Sequence, residues 1–138
     1  MDQETLGDQP VGQSNPISPV ALIVENDASQ REVISILLEE SDYVVMKCQS
    51  AEAAELVLRE LGEGLTLLIT DVNLAGRMNG VELAFIARQQ NPDLDIIVTS
   101  GRPLRQPLPD GAKFWAKPWA PVDILREAAM VQASAASR

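Results

Sequence analysis

Short apolar runs alternate along this chain with longer segments whose apolar residues recur every three or four positions, and few folds accommodate that alternation. PVALIVEN, DYVVMKC, LTLLITD and LDIIVTS read as strands, and AKFWAK is a short fifth. Such continuous apolar runs fit strands covered on both faces. Between them, residues 28–41 set Val33, Ile34, Leu37 and Leu38 in one helical stripe. Ser50 opens a helix carrying Ala53, Leu56, Val57 and Leu61, with Gly62 positioned to stop it. Leu83, Ile86 and Ala87 share one side of a helix that ends before Pro92, and a last helix from Pro121 carries Ile124, Leu125, Ala128 and Val131. The fold class is therefore α/β, a doubly wound, five-stranded parallel sheet with right-handed crossovers and helices on both faces.

The alternation falters once. Between Ser100 and Ala112 stands GRPLRQPLPDG, whose Pro103, Pro107 and Pro109 each remove a backbone donor and crowd the preceding turn. No helix longer than about one turn is expected there. The first 18 residues lack periodicity and read as a flexible tail, residues 19–131 as one domain, and residues 132–138 as a frayed end. With 138 residues there is one core and no room for a DNA-binding effector domain, so the chain is read as standing alone.

Composition removes whole classes of chemistry. The chain has no histidine, which excludes Ser-His-Asp, Cys-His and His-metal sites. Its formal net charge of -9 repels nucleic acid and anionic lipid heads. The single cysteine, Cys48, has no internal partner and reads as a small apolar residue. No run reaches the roughly 18 apolar residues of a membrane span, so a cytoplasmic protein is expected.

Ligands of open α/β sheets bind beyond the carboxyl ends of the strands. That rule collects Glu25, Asn26 and Asp27 after the first strand, Asp71 and Asn73 after the third, Thr99 and Ser100 after the fourth, and Lys117 after the fifth. Oxygen donors around one aspartate suit a hard cation such as Mg2+, Lys117 supplies a fixed positive charge, and Thr99 supplies a hydroxyl. These are the parts for holding a phosphoryl group: a carboxylate nucleophile, a cation and donors aimed at the transferred group.

With LIVEN, LLITDVNLAGRMNG, IIVTS and WAKPW in that order, the chain resembles the receiver domain of two-component response regulators over roughly residues 19–131. The resemblance implies a flavodoxin-like sheet and phosphorylation of Asp71 by a histidine kinase or histidine phosphotransfer protein. Mg2+ would be held by Glu25, Asn26, Asp71 and the backbone carbonyl of Asn73. It implies Thr99 as the switch hydroxyl, Phe114 as the accompanying aromatic residue, and Lys117 as the phosphate-binding lysine ahead of a cis Pro118. It further implies signalling through contact with another protein. Two departures stand out beside the reduced fourth helix. Asn26 replaces the second acid of the family's pair, a charge loss that weakens Mg2+ binding by about 1–4 kcal/mol unless Asp27 swings inward. Phe114 has no hydroxyl to bond at either end of a rotation.

Two rival functions are weighed beside this one. A pseudo-receiver would bind its partner regardless of phosphate, a reading motivated by Asn26 and the proline-rich segment. A phosphatase with an aspartyl nucleophile would want a proton-transferring acid at position 73, where an amide stands. Flavin binding is disfavoured because ENDASQ lacks a run of phosphate-cradling donors. Phe114, Trp115 and Trp119 read as packing residues, with Trp119 a candidate contact for a protein partner.

Overall fold

A computed structural model describes residues 18–136. Five strands, β1 (Val20–Val24), β2 (Val44–Cys48), β3 (Leu67–Asp71), β4 (Asp95–Ser100) and β5 (Lys113–Ala116), form one parallel sheet in the order β2-β1-β3-β4-β5. The helices are α1 (Ala28–Glu40), α2 (Ala51–Leu61), α3 (Gly80–Gln90) and α4 (Pro121–Ala136). Pleating sends successive side chains to opposite faces, which explains why the central runs are apolar throughout. Leu22, Val24, Leu68, Ile96 and Val98 pack with α2 and α3 on one side. Ala21, Ile23, Leu67, Ile69 and Ile97 pack with α1 and α4 on the other.

No helix forms across residues 101–112, as the prolines dictate. The segment is nevertheless fastened. Leu104 and Leu108 pack on the core, and Arg88 Nε donates to the Asp110 carbonyl at 3.0 Å. Arg88 Nη1 also donates to the Leu94 carbonyl at 2.7 Å, tying the end of α3 to the start of β4.

Three expectations need correction. In α2 the buried residues are Ala51, Ala54 and Leu58, whereas Leu56 is 62% exposed. Ala51 and Ala54 let that helix approach the sheet closely while Leu58 fills the core beside them, so Leu56 is left on the outer face. In α1 the stripe runs through Ile34, Ser35 and Leu38, and Val33 is exposed. The expected frayed end at 132–138 is helical as far as Ala136, because Gln132 Nε2 donates to the Ser41 carbonyl at 2.8 Å and alanines follow. Residues 1–17 of the expected N-terminal tail lie outside the described residues. No helix among the described residues is long and apolar enough to cross a membrane.

Candidate functional site

Each central strand delivers one part of the site at its carboxyl end. β3 ends on buried Asp71, whose carbonyl accepts from Thr70 Oγ1 at 3.0 Å. The register sets Thr99 of β4 beside Asp71, and Val72 N–H donates to the Thr99 carbonyl at 2.9 Å, fastening the chain that leaves Asp71 to the neighbouring strand. Lys117 N–H donates to the Ser100 carbonyl at 2.9 Å, and the Lys117–Pro118 bond is cis. The Lys117 ammonium lies 2.9 Å from Asp71 Oδ2 and 3.1 Å from Glu25 Oε1. Glu25, 3% exposed after β1, also accepts from Asp27 N–H through Oε2 at 3.0 Å, and Arg31 Nη1 donates to its carbonyl at 2.6 Å.

One ammonium thus serves two buried carboxylates. Burial alone would push the Lys117 pKa down, but its hydrogen bonds to Asp71 and Glu25, and their charges, outweigh burial and hold it above the ordinary lysine value. The lysine stays charged. An anionic group arriving at Asp71 would meet a cation already in place.

The structure gathers Glu25, Asp71, Thr99 and Lys117 at one end of the sheet. Asn26 and Asn73 stand at the same end but are exposed, and Asn73 N–H donates to Asp71 Oδ1 at 3.3 Å. Asp27 does not turn inward, because its carboxylate accepts from Gln30 N–H at 3.0 Å and caps α1. Phe114 is half-buried and paired with Val98, so the aromatic residue beside Thr99 in the sheet is Trp115.

No group of three His, Cys, Asp or Glu residues that could hold a metal occurs among the described residues. The site carries two carboxylates, Glu25 and Asp71, with amide and backbone oxygens at Asn26 and Asn73. All are hard oxygen donors, so the set fits Mg2+ with one protein charge fewer than an acidic pair would give.

Supporting residues escaped the sequence reading. Gly80, at the start of α3, donates its N–H to the Val72 carbonyl at 2.9 Å and lies against the backbone of Asp71. Asn79 and Glu82 close a capping box above it, a signal legible in NGVE. Glu52 Oε2 accepts from Arg77 N–H at 3.0 Å and Met78 N–H at 2.9 Å, clasping the loop between β3 and α3. Backbone hydrogen bonds, that of Met78 foremost, hold the Glu52 carboxyl below its ordinary value. Its contribution to stability is therefore present above the ordinary glutamate range and lost as pH falls through the depressed value. Glu52→Ala is expected to raise amide exchange at residues 76–78 near neutral pH, and the difference from the unsubstituted chain should shrink in acid. Equal exchange at neutral pH would show that the clasp does not order the loop.

Compared with known proteins, the chain matches the response regulator receiver domain over residues 21–126. It belongs to that family. Transcriptional regulatory protein ComA of Bacillus subtilis (strain 168) is 30% identical over 81 residues, which are 58% of this chain and 38% of that protein. The match thus spans well under half the length of that curated relative. A response regulator receiver protein from Sinorhizobium medicae WSM419 superposes with a TM-score of 0.74 at 19% identity, covering 83% of this chain and 94% of that one. The receiver domain of the hybrid histidine kinase CckA superposes with a TM-score of 0.72 at 25% identity, covering 81% and 97%. In this receiver, Asp71, Thr99 and Lys117 stand at the ends of β3, β4 and β5, inside the matched residues.

Proposed function

We propose that this receiver accepts a phosphoryl group on Asp71 from the phosphohistidine of a histidine kinase or histidine phosphotransfer protein, and signals by contact with a further protein. The observation that carries the reading is the Lys117 ammonium held between Asp71 and Glu25 at 2.9 and 3.1 Å, beside Thr99. A carboxylate oxygen of Asp71 forms the O–P bond while the N–P bond breaks, and that electron pair stays on the departing imidazole. Lys117 follows the charge onto a phosphoryl oxygen, and Thr99 donates to another. Glu25, Asp71, the Asn73 carbonyl and the Asn26 amide would hold Mg2+, which would supply neutralisation of phosphoryl charge. The chain acts as an acceptor rather than as an enzyme turning over free phosphoesters, since the amide of Asn73 transfers no proton. Thr99 passes the change to β5 and its aromatic residues, Phe114 among them, and to the segment 101–112.

Incubation with acetyl phosphate and Mg2+ is expected to add the mass of one phosphoryl group, about 80 Da, to the intact chain and nothing to Asp71→Asn. The amide at Asn26 and the helix-free segment 101–112 favour a pseudo-receiver as the second reading, and no gain in mass at high Mg2+ would decide for it. Asn26→Asp is expected to tighten Mg2+ binding about tenfold or more by restoring one charge near the cation. Tryptophan fluorescence during a Mg2+ titration checks this, and an unchanged midpoint would place Asn26 outside the metal site.

A further inference from the structure

Beside Asp71, between the 101–112 segment and the loop that links β3 to α3, lies a cleft of about 310 Å³ lined by Asn73, Asn79, Ser100, Arg102, Arg105 and Gln106, among others. Its walls contain no carboxylate, although the chain carries 20 acidic side chains against 11 basic ones. Neither Arg102 nor Arg105 has a carboxylate partner among the described residues. The wall that carries them is tied at two points. Arg102 N–H donates to Ser100 Oγ at 3.1 Å, and Asn79 Nδ2 donates to Gln106 Oε1 at 3.3 Å across the cleft. On the opposite wall, Asn73 N–H reaches Asp71 Oδ1.

We propose that Arg102 and Arg105 make this cleft an anion site that receives the phosphoryl group of the donor before transfer. The inference rests on Asp71 being the phosphoacceptor. A chain with net charge -9 repels a dianionic donor at long range, so approach depends on local fields. Two guanidinium forks without carboxylate partners, three and six residues beyond Thr99, supply a field of the required sign. Their planar donors match phosphate oxygens in pairs. Both side chains are exposed, so the attraction is screened and falls with salt.

The test uses the full chain and the double variant R102Q/R105Q, whose exposed positions leave the core untouched. Titration with inorganic phosphate, followed by NMR, is expected to move backbone amides of residues 72–74, 100–102 and 104–106. Affinity should be roughly fivefold weaker in the double variant and should decline with added salt. Shifts elsewhere, or equal affinities, would overturn the proposal. Transfer rates from acetyl phosphate and from a phosphorylated phosphotransfer protein separate the sources. Slowing with both shows that the cleft reads the phosphoryl group itself, and slowing with acetyl phosphate alone assigns it to small donors. Slowing with the protein donor alone, at unchanged phosphate affinity, would mean protein docking and would also overturn it. Phosphate binding that depends on the arginines, without any phosphorylation of Asp71, would count against the acceptor reading and leave the anion site standing.

Discussion

Lys117→Met is expected to slow phosphorylation of Asp71 about a hundredfold and to destabilise the domain by about 2 kcal/mol at neutral pH. The ammonium lies within 3.1 Å of Glu25 and 2.9 Å of Asp71, and both carboxylates are nearly sealed from water. Removing it leaves two like charges close together in a poorly hydrated site, where an unpaired charge costs more than the pair contributed. The lysine side chain is itself 20% exposed, which keeps the figure toward the low end. Its folded pKa is raised, so its contribution is fully present below the ordinary lysine value of about 10.4 and is lost as pH rises through the folded one. Urea unfolding at neutral and strongly alkaline pH should show the gap between the two proteins narrowing in alkali. Equal stability at pH 7 would mean that the carboxylates do not depend on the lysine.

Gly80→Ala is expected to destabilise the domain by about 2–3 kcal/mol, the reverse of what alanine does in most helices. A Cβ at Gly80 would overlap the Asp71 carbonyl oxygen, and it would stand 2.7 Å from the carbonyl carbon and 3.0 Å from Thr70 Oγ1. These obstacles are backbone and a buried side chain. The helix cannot step away freely, because Glu82 N–H donates to Asn79 Oδ1 and Asn79 N–H to Glu82 Oε1, both at 2.9 Å. The strain falls on the end of β3, so phosphorylation of Asp71 should slow as well. Urea unfolding and a transfer rate check both effects, and a stabilised variant would show that α3 and β3 separate easily.

The parts of this molecule that depend on sequence period alone are legible in the sequence. The runs at Val20–Val24, Leu67–Asp71 and Asp95–Ser100 are buried on both sides but for Val20 and Asp95 at their starts, as continuous apolar runs require. Asp71, Thr99, Lys117 and Glu25 followed from the rule that ligands bind beyond carboxyl ends, because topology alone brings them together. The choice of face in α2 did not follow. Ala53, Leu56, Val57 and Leu61 have helical spacing as good as that of Ala51, Ala54 and Leu58, and only packing on the sheet selects the face with two alanines and Leu58. Likewise nothing in the spacing of Glu52 shows that it reaches Arg77 and Met78, a hydrogen bond across 25 residues of chain. Gly80 resisted for a related reason, since its role is to have no side chain where two backbones meet.

The most direct measurement is the location of the phosphoryl group. After incubation with a phosphohistidine donor and Mg2+, reduction with borohydride converts a phosphorylated aspartate to homoserine, which tandem mass spectrometry reads at a single position. Homoserine at residue 71, absent from the mock-treated chain, is the expected result. Modification at another acid, or at none under conditions where the donor loses its phosphoryl group, would contradict the assignment of Asp71 as the acceptor.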